Sequence, residues 1–152
     1  MQYIKYALAI ALCAGLIQAS AQSTEDSVKA AVNQLFTGMK NADPAMVQAS
    51  FADSAVLQTI AKGKDDNVTV RTEAIRDFAT TIGKLAKGTA DEQIRYDVVR
   101  IDGDLAMVWA PYSFYYNGHL HHCGVDSFQL VRINGVWKIQ YIIDTRRKEP
   151  CK

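Results

Sequence analysis

The 152-residue chain has little cysteine, proline or histidine, with three residues of each, and this scarcity excludes several classes of protein. Three cysteines in a chain of this length are too few for a disulfide-rich scaffold. The chain also has no large excess of charge of one sign, because 17 basic and 16 acidic residues leave a formal net charge of +1 at pH 7. Since no block of like charge is present to follow a nucleic-acid backbone, no nucleic-acid partner is predicted.

The chain also lacks the short motifs that mark common catalytic centres. It contains no glycine-rich phosphate loop, no Cys-x-x-Cys pair and no nucleophile elbow around a serine. No motif therefore points to a cofactor, and none is predicted.

The N-terminus is apolar and has the organisation of a secretory signal. Lys5 precedes an unbroken apolar run over residues 7–17, and Ala19-Ser20-Ala21 matches the small-x-small pattern that signal peptidase cleaves. The run is too short to span a bilayer as a stable helix. We therefore predict a signal peptide over residues 1–21, export to the periplasm or the medium, and no membrane attachment once the signal is removed.

Two cysteines remain after the signal, Cys123 and Cys151. An even pair in an oxidising compartment suggests a disulfide, although the sequence leaves open whether the two side chains meet. His119, His121 and Cys123 also alternate onto one face of a strand, a spacing compatible with a metal site. No carboxylate or further imidazole is expected beside them to complete a coordination shell, so no metal is predicted.

Apolar spacing predicts three helices before the sheet. The first helix has the apolar stripe Val28, Ala31, Val32, Leu35, Phe36 and Met39, with Ser23 or Thr24 as its cap. Asp43-Pro44 predicts the start of a second, shorter helix. Short strands are predicted at 56–60 and 68–71, followed by a third helix that begins after Thr72 and ends near Gly88.

The chain after about Gln93 is predicted to be sheet. Asp102-Gly103, Asn117-Gly118 and Asn134-Gly135 have the chemistry of two-residue type I′ turns, which connect four antiparallel strands. Helices followed by a meander predict an α+β fold, with N-terminal helices packed on a strongly curved, mainly antiparallel sheet.

The turn register assigns the strand residues to two faces. The face predicted to meet the helices is large and apolar, and it collects Ile94, Tyr96, Val98, Leu105, Met107, Trp109, Phe128, Leu130, Trp137, Ile139, Tyr141 and Ile143. The opposite face, which includes Val108, Tyr112 and Phe114, is apolar enough to predict a homodimer contact through the outer side of the sheet.

One acid, Asp126, is predicted on the helix-facing side, opposite Trp109 and Ile143. A carboxylate in that position needs a partner or a proton. One hypothesis makes Asp126 a general acid or base whose pKa is raised by burial. The alternative is a structural acid that is paired with a helix side chain or hydrogen-bonded to backbone.

The same face carries the side chains of a predicted small-molecule pocket. Polar groups lie towards the strand ends, where a cone would open, and aromatic groups lie deeper, a usual composition for such a site. The polar set is His122, Ser113, Tyr115 and Thr145, and the aromatic set is Trp109, Tyr96, Phe128 and Tyr141. The alternative is that the aromatic side chains only fill the core.

Four stretches of sequence carry a family resemblance. They are Phe51-Ala52-Asp53, Trp109-Ala110-Pro111-Tyr112, His122 to Phe128, and Trp137-Lys138-Ile139 with Asp144-Thr145-Arg146-Arg147. These stretches look like the exported bacterial subgroup labelled putative lumazine-binding, and the order of elements resembles the nuclear-transport-factor-2-like superfamily. The resemblance implies one cone-shaped, cystatin-like domain over residues 22–152. Because the superfamily includes isomerases, dehydratases, cyclases and plain ligand binders, the fold does not select a function.

Three functions are compatible with these residues. The first is an exported domain that binds an apolar or aromatic small molecule in the cone. The second is a metal-independent isomerase, dehydratase or cyclase-like enzyme that uses Asp126 as general acid or base, with His122. Those two residues would be about 13 Å apart along one strand, so they would act on opposite ends of a substrate. The third is a dimeric interaction module with no ligand.

Overall fold

The computed structural model describes residues 23–63 and 65–151. The predicted signal peptide over residues 1–21 lies outside the described residues, as does the predicted mature start at Gln22. No helix in the described part of the chain is long and apolar enough to cross a membrane.

Three helices precede most of the sheet: α1 over Thr24–Asn41, α2 over Pro44–Ala49 and α3 over Ile75–Gly83. The predicted caps are present, because the Ser23 side chain accepts the Asp26 N–H at 3.0 Å and the Asp43 carboxylate accepts the Met46 N–H at 2.9 Å. Helix α3 ends before the predicted Gly88, since the N–H of Lys84 bonds back to Thr81 and closes the last turn.

The sheet has seven strands in the spatial order β2-β1-β7-β6-β5-β3, with β4 also paired to β5. The strands are β1 Phe51–Lys62, β2 Val68–Glu73, β3 Ala90–Ile94, β4 Val98–Asp102, β5 Leu105–Tyr116, β6 His119–Ile133 and β7 Val136–Arg147. All neighbours are antiparallel except β1 and β7, which are parallel. Helices packed on a curved, mainly antiparallel sheet confirm the predicted α+β fold class.

Helix α1 supplies the helical half of the core. Its buried stripe is the predicted one and includes Val28, Val32 and Phe36, which pack against the inner face of the sheet. The Phe36 and Phe128 rings meet edge to face with centroids 6.2 Å apart. The side of the sheet that meets the helices is called its inner face, and the opposite side its outer face.

Two one-residue bulges interrupt the long hairpins. In the β5–β6 pair, Tyr115 lies opposite Leu120 but Phe114 lies opposite His122, so His121 has no partner in the ladder. In the β6–β7 pair, the same interruption leaves Gln140 unpaired. Because side chains alternate with a period of two, each bulge moves every residue beyond it to the other face relative to its partner strand.

The bulges make the predicted pairing of Asp126 wrong. Asp126 lies opposite Ala110 and Asp144, whereas Trp109 and Ile143 lie opposite Ser127. Strand β6 keeps its predicted inner face, but β5 and most of β7 are turned around. Trp109 is consequently 45% exposed on the outer face, and Tyr112 is buried at 5% exposure on the inner face.

The predicted homodimer face must be corrected for the same reason. Val108 is buried in the core and Tyr112 is buried in a pocket, so neither reaches the outer side of the sheet. The outer face instead carries Leu105, Met107 and Trp109 from β5 beside Tyr141 and Ile143 from β7. All five were predicted to face the core.

A disulfide joins Cys123 of β6 to Cys151, with the two Cα atoms 5.7 Å apart. It ties the C-terminal segment back to strand β6, at a position that pairs with Ser113 and Arg147. Because Cys123 is bonded to Cys151, it has no thiolate to bind a metal together with His119 and His121.

Candidate functional site

A pocket of about 140 Å³ lies between the helices and the inner face of the sheet. Its walls are mainly apolar and are formed by side chains of α1, α3 and the strands of the sheet. The apolar and aromatic lining residues are Leu35, Phe36, Met39, Phe51, Leu57, Phe78, Ile82, Phe114, Phe128 and Ile142. A cavity of about 150 Å³ is large enough to hold one benzene ring, so the volume fits a single aromatic ring.

Polar side chains enter this pocket from four strands. Glu92 comes from β3, Tyr112 from β5, His122 and Asp126 from β6, and Asp144 and Arg146 from β7; Glu73 of β2 also lines the pocket but is exposed. The strand register brings them together, because Gly124 pairs with both Tyr112 and Arg146 while Asp126 pairs with Asp144. The pocket is thus apolar in its walls and acidic along one side of the sheet.

Glu92 and Asp126 form a carboxyl pair within hydrogen-bonding reach of each other. The pKa of Glu92 is raised to about 7, mainly by burial; the charge of Asp144 acts in the same direction, whereas the hydrogen bond to Asp126 and the charge of Arg146 oppose it. Burial also raises the pKa of Asp126 well above its usual value, and the charge of Glu92 adds to the effect. Two acids this close favour sharing one proton at neutral pH.

Asp144 is the centre of a second polar group. Its Oδ2 accepts the Tyr112 hydroxyl at 3.1 Å and the Arg146 Nε at 2.8 Å. The Arg146 Nη2 also donates to Thr59 Oγ1 at 3.0 Å, so the guanidinium is held by two strands. Burial and Asp144 both raise the pKa of the Tyr112 hydroxyl, which therefore stays protonated and acts as a donor.

Two carboxylate oxygens in the pocket receive no hydrogen bond from an N–H or hydroxyl group of the described residues. They are Oδ2 of Asp126 and Oδ1 of Asp144, and each belongs to a residue that is only 5% exposed. Buried polar atoms are normally satisfied, because an unpartnered acceptor in an apolar site costs free energy. The two oxygens therefore mark the place where a ligand can donate hydrogen bonds.

Gly124 allows the sheet to bring these groups together. A Cβ at this position would clash with the Thr145 carbonyl oxygen and would lie 2.8 Å from Cε1 of Tyr112. Only glycine lets β7 and the Tyr112 ring approach the β6 backbone this closely. The hydrogen bond from Tyr112 to the Thr145 carbonyl, at 2.9 Å, depends on that approach.

His122 lines the pocket beside the aromatic rings of Tyr112 and Phe114. Burial lowers the pKa of His122 to about 4, and the charges of Arg146 and His121 lower it in the same direction. Its Nδ1 lies 2.8 Å from Nδ1 of His121, so one of the two rings donates and the other accepts. His122 is accordingly a neutral imidazole at neutral pH.

The structure separates the residues predicted to line the site. Asp126, His122 and Phe128 line the pocket, whereas Trp109, Ser113, Tyr115, Tyr141 and Tyr96 do not. Trp109, Ser113 and Tyr115 alternate along the outward-facing side of β5. The Tyr141 hydroxyl donates to Gln58 Oε1 at 2.7 Å, and the Tyr96 hydroxyl donates to Asn33 Oδ1 at 2.8 Å, so each binds elsewhere.

Sequence reasoning missed five polar residues of the pocket, namely Glu73, Glu92, Tyr112, Asp144 and Arg146. The turn register puts Tyr112, Asp144 and Arg146 on the outer face, because it does not anticipate the bulges at His121 and Gln140. Glu73 was expected at the start of the third helix and not in a strand. Glu92 was missed because it precedes Gln93, where the sheet was predicted to begin. The presence of Asp144 and Arg146 two residues apart on one strand was the signal available for them.

Comparisons with known proteins agree with this architecture. A model of the family described as "Putative lumazine-binding" matches residues 23–141. No curated protein matches the chain.

Among solved structures, the chain is similar to an NTF2-like protein of unknown function from Shewanella baltica, with 16% identity and a TM-score of 0.61 over 81% of this chain and 93% of that one. It is also similar to a domain of unknown function with a cystatin-like fold from Nostoc punctiforme, with 15% identity and a TM-score of 0.62 over 81% and 76%. A protein described as a putative dehydratase from the NTF2-like family, from Streptomyces avermitilis, has 18% identity and a TM-score of 0.59 over 80% and 94%. At these identities the likeness shows the fold alone.

Proposed function

Since the chain belongs to the family described as "Putative lumazine-binding" and has the NTF2-like fold, we propose that it binds a small apolar or aromatic molecule in the pocket. The observation that carries the proposal is the pocket itself, about 140 Å³ with aromatic walls and a few fixed polar groups. This composition is usual for small-molecule sites. An open pocket also favours a ligand over an interaction module whose own side chains fill the cone.

Native mass spectrometry of protein purified from its source cells tests this proposal. Leu57 lines the pocket and is partly exposed, so Leu57→Trp is expected to fill the pocket without unfolding the chain. Val56 is the preceding residue on the same strand, does not line the pocket and is 37% exposed. Val56→Trp is therefore the matched control.

We expect a non-covalent ligand mass on the wild type and on Val56→Trp, and at least about a tenfold lower ligand occupancy on Leu57→Trp. Equal occupancy in the two tryptophan variants would place the ligand outside the pocket. A bare protein mass for the wild type, together with no stabilisation by any compound in a small-molecule library, would contradict binding altogether.

The second candidate is a metal-independent isomerase, dehydratase or cyclase-like enzyme with Asp126 as general acid or base. The observation that favours it is the carboxyl pair, in which burial raises the pKa of Glu92 to about 7 and the pKa of Asp126 well above its usual value. Acids whose pKa is raised in this way suit proton transfer at neutral pH. His122 would contribute only as a neutral hydrogen-bonding group. Conversion of the co-purified ligand by the wild type but not by Asp126→Asn would support catalysis, whereas unchanged ligand with both proteins would leave a binder.

We also propose export to the periplasm or the medium. The disulfide between Cys123 and Cys151 supports an oxidising compartment, in agreement with the signal-like residues 1–21. When the full chain is expressed in a bacterium, the mature protein is expected to begin at Gln22 and to carry no free thiol. An unprocessed chain with three free thiols, those of Cys13, Cys123 and Cys151, would contradict export.

We further propose a homodimer through the outer face of the sheet. Support comes from the exposed apolar side chains there, which include Leu105 at 50% and Trp109 at 45% exposure. Trp109→Glu is expected to shift the sedimentation coefficient from dimer to monomer. Val68→Glu, on the exposed strand β2, is the control. A monomeric wild type would contradict the dimer.

A further inference from the structure

The acidic side of the pocket carries more negative charge than its single cation neutralises. In the part of the chain that the structure describes, the lining side chains include the acids Glu73, Glu92, Asp126 and Asp144, but Arg146 alone is permanently cationic. Arg146 is already bound to Asp144 through Nε. The charge that remains belongs to the carboxyl pair, which keeps one negative charge when it shares one proton.

The two carboxylate oxygens that lack a donor show where a ligand can meet this negative charge. Oδ2 of Asp126 and Oδ1 of Asp144 are buried acceptors, and their residues are directly opposite each other across the β6–β7 pair. Opposite residues of an antiparallel pair have Cβ atoms about 5 Å apart. A ligand group with two N–H donors is therefore able to reach both oxygens at once. Hydrogen bonds from a charged donor to a carboxylate are the stronger kind.

The walls around these acceptors are aromatic. Phe114, Phe128 and the His122 ring line the same pocket, and Phe36 packs behind Phe128. Aromatic faces attract cations and also pack well against a flat apolar group. The site thus combines a small volume, aromatic walls, excess negative charge and two acceptors that lack donors.

We propose that the pocket binds a small organic cation that has a flat apolar body and at least two N–H donors, such as an amidinium or a protonated amino-heterocycle. This inference rests on the proposed function, and it specifies the chemical class of the ligand. The cation's donors bind Oδ2 of Asp126 and Oδ1 of Asp144, and its apolar body lies against the phenylalanine rings.

Three isosteric probes separate charge from shape: benzamidinium, neutral benzamide and anionic benzoate. Each has one aromatic ring, which fits a pocket of about 140 Å³. Isothermal titration calorimetry at pH 8 is expected to give at least about tenfold tighter binding for benzamidinium than for benzamide, because charge-assisted hydrogen bonds are the stronger. Benzoate is expected to bind more weakly than either.

The double variant Glu92→Gln/Asp126→Asn tests the anchor. It keeps the sizes of both side chains but removes the one negative charge that the pair retains when it shares a proton, so we expect it to lose most of the preference for benzamidinium over benzamide. The double variant Glu25→Gln/Asp102→Asn makes the same chemical changes at exposed positions of α1 and β4 and is expected to leave the preference intact. The melting temperatures of the two double variants show that folded proteins are compared.

A pH series provides an independent measurement. The titratable groups that line the pocket with the carboxyl pair are Asp144 and Arg146 from β7, Tyr112 from β5, His122 from β6 and Glu73 from β2, while α1 and α3 present only apolar side chains to it. Glu92 also lines a second cavity with Lys40 of α1 and Asp91 of β3, which are paired with each other at 3.0 Å. Deprotonation of the pair favours a bound cation, so benzamidinium affinity is expected to rise at least about threefold from pH 5 to pH 8. Benzamide affinity is expected to stay constant.

The outcomes distinguish this inference from the proposed function. Benzamide or benzoate binding as tightly as benzamidinium would overturn the cation class while leaving small-molecule binding in place, and preference for benzoate would identify Arg146 as the anchor. No binding of any probe would also overturn the inference. In that case the native mass measurement on the Leu57 and Val56 variants still decides whether the pocket holds another ligand.

Discussion

Gly124→Ala is expected to destabilise the folded protein by at least about 3 kcal/mol. The added methyl group would clash with the Thr145 carbonyl oxygen and crowd the Tyr112 ring at 2.8 Å. The first of these contacts is with backbone, so no side-chain rotation relieves it and β6 must move away from β7. That movement would also break the hydrogen bonds that Tyr112 makes to Thr145 and Asp144.

Denaturant unfolding of the wild type and the variant measures this effect. Gly118→Ala is an informative control, because Gly118 has open space around its Cβ position but a positive φ of 77°. Its cost is backbone strain alone, about 1 kcal/mol. If Gly124→Ala costs no more than Gly118→Ala, the close approach of the two strands described here is wrong.

Folding stability is expected to fall as the pH rises from about 4.5 to about 7. Glu92 has a pKa near 7 in the folded protein and about 4.5 in the unfolded chain, so the folded state binds the proton more tightly. The contribution of Glu92 is therefore fully present below pH 4.5, declines through this window and is constant above pH 7. The decline that Glu92 causes is about 3 kcal/mol.

Glu92→Gln is expected to remove the part of the decline that Glu92 causes, because a neutral amide carries no proton linkage. Asp126, whose pKa burial also raises, keeps its own contribution in the variant. The variant should be more stable than the wild type at pH 8 and similar to it at pH 4.5, as measured by unfolding in urea across the pH range. Glu25→Gln, at an exposed position of α1, is the control. A wild-type curve that rises with pH between 4.5 and 7, and an unchanged curve for Glu92→Gln, would contradict the buried carboxyl pair.

The sequence predicted the fold well because its signals are local. The stripe on α1, the caps at Ser23 and Asp43 and the turns at Asn117-Gly118 and Asn134-Gly135 each act over a few residues. Helix period, cap chemistry and the preference of Asn-Gly for left-handed turns do not depend on distant contacts. The order of helices and strands follows from them.

The site was predicted only in part because it depends on register far from the turns. The bulges at His121 and Gln140 lie within the strands, and neither position carries a glycine or another residue that marks a bulge. One extra residue in a strand moves the side chains beyond it to the opposite face of the sheet relative to the partner strand. Size also misled the assignment on β5, where Ala106, Val108 and Ala110 are completely buried and the larger Trp109 faces outward.

Asp126 shows which part of the site argument was independent of that error. The turn register placed Asp126 on the inner face together with Phe128 and Leu130, and the pairing that the register gave Asp126 is wrong. Alternation along β6 alone also puts Asp126 on the same face as Phe128 and Leu130, and the structure has all three buried. Its partners Glu92 and Asp144 come from other strands, so only the paired sheet reveals them.

The most direct test of the account is a carbon-13 NMR titration of the side-chain carboxyl groups, with Glu92→Gln and Asp126→Asn used to assign the two signals. The account predicts a midpoint near pH 7 for Glu92 and a midpoint well above the usual aspartate range for Asp126, with the two curves dependent on each other. Independent midpoints near pH 4 for both groups would contradict it, since they would mean that the two carboxyl groups are solvated and apart.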